Sequence, residues 1–284
     1  MKTSLDSFCV IIIAHGRPEM ADTYNLLHDC GYHGRIIFLV DNEDKKVQGY
    51  FDRYGKNNVF MFDKLSVAKK SDPMNNFGGR KAALFARNIA FNVAKELGYT
   101  YFCVLDDDYY YFGHRGEFGA RKTKKIDEVF AYFVAFLRNT PTVKAIAFSQ
   151  GGDHIGGYKG NILVKRKCMN SWFCCSDRPF SFYGVMNDDV NAYLRNGYLG
   201  DVFLTYMPFQ LDQADTQKGG GGMVEAYVNS GTYVKSFYSV MLVPSAVKIK
   251  LMGVNYTRLH HSIAWRNVTP CIINEKYKKR NDEI

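Results

Sequence analysis

The sequence predicts an α/β protein with a mostly parallel central sheet flanked by helices, and a more irregular, mixed second half. Three observations carry this. Short apolar runs alternate with helix-periodic segments through the first half, the pattern of parallel strands joined by crossover helices. The apolar runs lack polar alternation, as strands buried on both faces do. The length of 284 residues suits one large domain with a sizeable core.

"FCVIIIAH" (Phe8 to His15) reads as the first strand. "GRPEMADTYNLLHDCG" then reads as a short helix, with Pro18 suited to its first turn and Gly31 to its end. "RIIFLVDNED" (Arg35 to Asp44) is a second strand ending in acid, and "NVFMFDK" (Asn58 to Lys64) a shorter third. A polar loop follows. "GRKAALFARNIAFNVAKELG" (Gly79 to Gly98) sets Ala82, Phe85, Ile89, Val93 and Leu97 on one broad helical face. "YFCVLDDDYYYFGH" (Tyr101 to His114) is a buried strand that runs into three aspartates.

Beyond it, "IDEVFAYFVAFLRN" reads as an amphipathic helix and "VKAIAFSQGG" as a strand. "SWFCCSDRPFSFYG" offers two short strands, "VMNDDVNAYLRNG" a helix with acid at its start, and "DVFLTYMPF" a further strand. Four consecutive glycines near 215–223 read as a mobile loop, and the charged C-terminus as frayed. No repeat or linker is evident. The chain reads as a single domain over 1–284, divided near residue 115.

The balance of 37 basic and 28 acidic residues, net +9, favours polyanionic or phosphate-bearing partners. Aromatics reach 15 %, which suits a packed core as well as surfaces that stack sugars or bases. The seven cysteines are scattered without C-x-x-C spacing. Cys168, Cys174 and Cys175 allow a partial metal cluster, but buried thiols in a reducing cytoplasm are the better reading. The first apolar run is too short to span a bilayer and lacks a cleavage pattern, so the expectation is a soluble, cytoplasmic protein with no membrane partner.

Polar groups crowd the strand ends: His15 and Arg17, then Asp41 and Asp44, then Asp106, Asp107 and Asp108. In a parallel sheet these line one edge, where ligands bind. Asp106 and Asp108, one residue apart, share a side in extended backbone and suit Mg²⁺ or Mn²⁺, which in turn holds a diphosphate. A solvated acidic turn is the plainer alternative; the position after a buried strand weighs against it. "HRGEFGARKTKK" (His114 to Lys125) packs five Arg or Lys residues into twelve positions. Arg121, Lys122, Lys124 and Lys125 follow the acidic site closely and suit the phosphates of DNA.

"ARN", a helix, an aromatic strand and "DDD" together resemble the GT-A-fold glycosyltransferases. More narrowly, "AHGRP", "GYHGRIIFLVDNED", "ARN…AKELGYTYFCVLDDDY" and "FYGVMNDDVNAY" resemble the phage TET-associated glycosyltransferases, over roughly residues 8–200. Those enzymes act in DNA hypermodification. The resemblance implies a Rossmann-like nucleotide-sugar half and an acceptor half. It implies a nucleotide-sugar donor, most simply a UDP-sugar, with Mn²⁺ or Mg²⁺, and 5-hydroxymethylcytosine-type bases in DNA as acceptor.

By the same resemblance His15, Arg17 and Asp41 would line the nucleotide pocket. Arg87 would reach the nucleotide-sugar, Asp106 the ribose or metal, and Asp108 the metal. Asp189, or else Asp188, would activate the acceptor hydroxyl. One of His260 and His261 would complete the metal shell; on a strand the two should point to opposite faces. A polysaccharide acceptor is an alternative. A nucleotidyltransferase is a rival weakened by the single glycine in "AHGRPEM", and a non-catalytic DNA-binding protein would gain nothing from an acidic edge.

Overall fold

The computed structural model describes residues 5–75, 78–80, 82–154, 157–158, 160–163, 171–213, 234–253 and 257–268. The glycine-rich segment near 215–223, Cys168 of the possible cysteine cluster and the charged C-terminus lie outside these residues.

In chain order the elements are β1 (Phe8–Ile13), α1 (Asp22–Asp29), β2 (Arg35–Asp41), α2 (Val47–Tyr54), β3 (Val59–Phe62), α3 (Lys64–Ala68), α4 (Ala83–Glu96) and β4 (Tyr101–Asp106). There follow β5 (Tyr109–Gly116), β6 (Gly119–Lys122), α5 (Ile126–Asn139), β7 (Val143–Gln150), β8 (Ile162–Leu163), β9 (Trp172–Cys175), α6 (Asp188–Tyr198) and β10 (Val202–Gln213). A helix over 234–242, α7, precedes β11 (Val247–Met252), β12 (Arg258–Ile263) and α8 (Trp265–Val268).

One sheet of ten strands organises the molecule. Its order is β3-β2-β1-β4-β9-β7-β10-β5-β6, with β8 against β10. The pairs of β1 with β2, β1 with β4 and β2 with β3 are all parallel. Beyond β4 the sheet is mixed: β9 is antiparallel to both β4 and β7, and β5 to β10. The α/β class, the parallel first half and the mixed second half are as the sequence predicts. The hairpin of β11 and β12 forms a separate two-stranded sheet.

The unbroken apolar runs have a direct cause. On β1, Cys9, Ile11 and Ile13 enter one core, while Phe8, Val10 and Ile12 enter the other. The first core packs against α4, α6 and α8, the second against α1, α2 and α5, giving three layers. Much of the aromatic content is spent here. Phe173 stacks on Phe8 at 6.0 Å and meets Phe133 and Phe148 edge-on at 4.8 and 5.0 Å. Cys9, Cys30, Cys103, Cys174 and Cys175 are buried thiols.

Several boundaries differ from the sequence expectation. Helix α4 begins at Ala83 and buries Leu84, Phe85, Arg87, Ala90, Phe91 and Ala94, while Leu97 is exposed. The predicted stripe is widened rather than displaced: Phe85 and Val93 are buried, Ala82 and Ile89 pack against the same core, and Arg87 joins the buried face. Helix α1 starts at Asp22, so Pro18 lies in the turn before it. "SWFCCSDRPFSFYG" supplies one strand, β9, and the residues after it are irregular.

Candidate active site

The parallel strands β1, β2 and β4 all end on one edge, and their terminal residues build the site. After β1 the chain turns at Gly16, whose φ of +75° is open to glycine at no steric cost. The Gly16 N–H donates to Asp44 Oδ2 at 2.6 Å, and the Arg17 N–H to the Tyr50 hydroxyl at 3.0 Å. Asp44 Oδ1 also accepts from the Lys46 N–H ahead of α2, so it both stops this turn and braces the first.

Beside it, Asp41 Oδ2 meets His15 Nδ1 at 2.8 Å and the buried Lys64 ammonium at 3.1 Å. The hydrogen bond to Asp41 raises the His15 pKa, against partial burial. Burial pushes Asp41 up, but His15 and Lys64 outweigh it and leave its carboxyl below the usual range. His15 and Asp41 thus form one charged network at the ends of β1 and β2. Sequence reasoning missed Lys64, whose signal as the first residue of a short helix is weak.

The three aspartates separate differently from the extended-chain expectation. Asp107 and Asp108 form a turn, so the two-residue rule for strands does not apply to them. That turn is pinned by Thr23 at the start of α1. Its hydroxyl donates to the Asp106 carbonyl at 2.7 Å and accepts from the Tyr109 N–H at 2.9 Å. Asp107 is buried and bound by Arg17 at 2.5 Å. Burial nevertheless pushes its pKa up to about 7; its other oxygen, Oδ2, is buried without a hydrogen-bond partner among the described residues.

Asp106 faces Arg87. The buried guanidinium donates through Nη2 to Asp106 at 2.9 and 3.3 Å, and through Nη1 to Asp188 Oδ2 at 2.6 Å. Arg87 therefore joins the end of β4 to the start of α6. Burial works against its charge, but Asp188 and Asp106 outweigh that and hold it protonated. Both oxygens of Asp106 are taken up by this arginine, which leaves Asp108 as the aspartate of the run turned to other work. Asp108 Oδ1 is buried and has no hydrogen-bond partner among the described residues.

Burial raises the pKa of Asp106 and of Asp188; Arg87 opposes the rise, and Asp189 adds to it in both. Burial likewise raises Asp108, with Arg17 opposing. Asp106, Asp108, Asp188 and Asp189 outnumber the cations set against them, Arg87, Arg17 and Lys235. That surplus, with the orphaned oxygen of Asp108, fits a hard divalent cation. Among the described residues no set of three or more His, Cys, Asp or Glu forms a ready-made metal cage. A cation here would draw on few protein ligands plus the oxygens of a bound diphosphate, as Mg²⁺ commonly does.

The C-terminal hairpin reaches this site through Asn187. Its backbone is left-handed, φ +55°, which asparagine tolerates. Its amide donates to the Lys235 carbonyl at 2.8 Å and lies 3.3 Å from His261 Nδ1. The histidine rings do not point to opposite faces: their centroids are 4.2 Å apart, because His260 Nδ1 turns back to the His261 carbonyl at 2.7 Å. Lys235, also missed by sequence reasoning, has its pKa lowered by burial, with Asp189 opposing.

The basic run is the part that the structure does not bring to the aspartates. Lys124 donates to the Asp29 carbonyl at 2.8 Å, and Lys122 lies 3.8 Å from the Asp29 carboxylate. Asp29 ends α1, whereas Thr23 at its start holds the acidic turn; the helix separates them by about 9 Å at 1.5 Å per residue. Lys125 pairs with Glu128 at 3.1 Å, and Arg121 is exposed on β6. The closeness in sequence is lost because β5 and β6 carry the chain away and back.

The fold and the acidic strand edge define an α/β protein whose polar groups gather where its parallel strands end. The family profile of the TET-Associated Glycosyltransferases matches residues 8–222. This chain belongs to that family and is a glycosyltransferase. No curated protein matches it. Among solved structures, glucosyl-3-phosphoglycerate synthase from Mycobacterium tuberculosis, in complex with Mg²⁺ and UDP, is 7 % identical with a TM-score of 0.47, covering 90 % of this chain and 87 % of that one. A mannosyltransferase from Pyrobaculum calidifontis, in complex with GDP-Man and Mn²⁺, is 9 % identical with a TM-score of 0.45, covering 84 % and 74 %. The family match, not these distant likenesses, defines the chemistry. With the enzyme class given, the nucleotidyltransferase and non-catalytic readings fall away.

Proposed function

We infer that this glycosyltransferase moves a sugar from a nucleotide-sugar, a UDP-sugar in the simplest case, to the hydroxymethyl group of 5-hydroxymethylcytosine-type bases in phage DNA, in the host cytoplasm. The observation that carries the donor reading is the surplus of carboxylate at the end of β4 and the start of α6, with Asp108 Oδ1 left without a partner among the described residues. Family membership and the net charge of +9 support the DNA acceptor.

His15, Arg17 and Asp41 line the place for the nucleotide. A divalent ion held by Asp108 would neutralise the departing diphosphate, supplying charge stabilisation without a proton. Asp189 accepts the proton of the acceptor hydroxyl. The acceptor oxygen then bonds to the anomeric carbon as that carbon's bond to the diphosphate oxygen breaks. Arg87 holds Asp106 and Asp188 in place, so Asp108 and Asp189 have distinct tasks. His261, beside Asn187, stands where it can support the same edge. The hydroxymethyl group projects into the major groove, which suits an acceptor presented on DNA.

The test is to incubate the protein with hydroxymethylcytosine DNA, single- or double-stranded, with Mn²⁺ and a panel of nucleotide-sugars, and to weigh the released nucleosides. A gain of one sugar mass is expected, and Asp108→Ala is expected to abolish it. No mass gain with any donor overturns the acceptor assignment, and full activity in Asp108→Ala overturns the metal role.

A further inference from the structure

The β5–β6 hairpin ends in an exposed aromatic that no part of the site uses. Gly116 pairs with Gly119, leaving Glu117 and Phe118 as a two-residue turn. Gly119 has φ +117°, a conformation that a side chain would strain. Phe118 is 99 % exposed, the most exposed large apolar side chain among the described residues. Along the same hairpin and just after it, Arg121, Lys122, Lys124 and Lys125 are exposed. The ion pairs of Lys122 and Lys125 are surface contacts with exposed partners, which add little and exchange readily for phosphate. The outer strand, β6, is an edge of the sheet, with no neighbour on its far side among the described residues.

We propose that this hairpin is a second contact for duplex DNA, in which the basic strip holds phosphates and Phe118 wedges against or between bases. The inference rests on the DNA acceptor reading. Its chemistry is that of aromatic or aliphatic wedges on cationic elements, which stack on or part base steps while neighbouring cations fix the backbone. Its geometry gives a length. Strand β5 runs eight residues from beside Asp108 to the tip. At 3.3 Å per residue that is about 25 Å, or about seven base pairs at 3.4 Å each. The hairpin therefore touches DNA well outside the reacting base.

The experiment compares kcat/KM on duplexes with one central hydroxymethylcytosine and either three or twelve base pairs on each side, for the wild-type protein and Phe118→Ala. The wild-type protein is expected to favour the long duplex by about fivefold or more, the low end of the worth of one stacked base. In Phe118→Ala that advantage should fall by about fivefold or more, leaving only the share of the basic strip, while Phe118→Trp should retain it. The residue is fully exposed in a turn, so its loss leaves the fold intact.

Transfer to both duplexes with no length advantage, or with one that Phe118→Ala retains, overturns this inference and leaves the acceptor reading standing. Absence of transfer to any DNA overturns both. Sedimentation with anionic phosphatidylserine vesicles provides the last arm. Binding there that depends on Phe118 would assign the hairpin to a lipid surface and overturn the DNA contact.

Discussion

At the scale of single residues, Arg87 is the most consequential side chain. It is buried, and it neutralises Asp106 and Asp188, the second of them 101 positions away along the chain. Removing one partner of a buried charge cluster leaves the others uncompensated. Arg87→Ala is therefore expected to cost about 3–5 kcal/mol, read as a lower urea midpoint, and to reduce transfer through misplacement of α6. Arg87→Lys, which keeps the charge but has no fork to span two carboxylates, should fall between.

His15 gives a pH prediction of definite sign. Its folded pKa lies above the ordinary value because Asp41 accepts its hydrogen bond. Its contribution is present below the unfolded pKa of about 6.5 and is lost as pH rises through the folded value. The melting temperature of the wild-type protein relative to His15→Gln should thus be highest in mild acid and converge in alkali. A gap that widens with rising pH would refute the pairing. These contacts were partly legible: His15, Asp41 and Asp106 stood out as polar groups at strand ends. The family resemblance named Arg87 as a site residue, but its role of joining Asp106 to Asp188 was not legible, since Asp188 lies 101 positions away.

At the scale of elements, β10 shows what a pattern cannot anticipate. It pairs with β7 through Tyr206, then skips to Gln210, so Met207 to Phe209 bulge from the ladder. Ser149, fully buried, spans the gap. Its hydroxyl lies 3.1 Å from the Met207 carbonyl, 3.0 Å from the Phe209 carbonyl and 3.0 Å from His154 Nε2. Ser149→Ala strips these buried acceptors of their shared partner and is expected to cost about 1–3 kcal/mol, with faster amide exchange confined to β7 and β10 in hydrogen-exchange measurements. The apolar composition of "DVFLTYMPF" announced a strand. The bulge has a local mark in Pro208, which has no N–H to give the ladder, whereas the serine that bridges it lies 58 residues from Met207 and outside any local window.

At the scale of the whole molecule, charge is divided between two regions. The carboxylates collect at the ends of the parallel strands, and the exposed cations after β5 collect about a helix length away. On the proposed DNA acceptor, such a division would let the duplex be held by its phosphates without bringing their charge onto the acidic edge. A plot of log affinity against log salt for duplex DNA should be steep. Replacing Arg121, Lys122, Lys124 and Lys125 together by Ala should flatten it by roughly 0.9 for each phosphate that is no longer neutralised. An unchanged slope would place the DNA elsewhere. Among the described residues no helix is long and apolar enough to cross a membrane.

The sequence by itself determined the layered α/β class, the parallel β1, β2 and β4, and the acidic edge. Periodicity and burial of apolar runs are local properties, and a parallel sheet places all its strand ends together. The tertiary structure alone decided how the acids divide. Asp106 and Asp188 meet one arginine, Asp107 meets Arg17, and Asp108 keeps an oxygen unpartnered among the described residues, because a tight turn held by Thr23 replaces the extended backbone that spacing implied. It also moved the basic run away from the aspartates, since a hairpin returns the chain to a place that distance along the sequence does not measure.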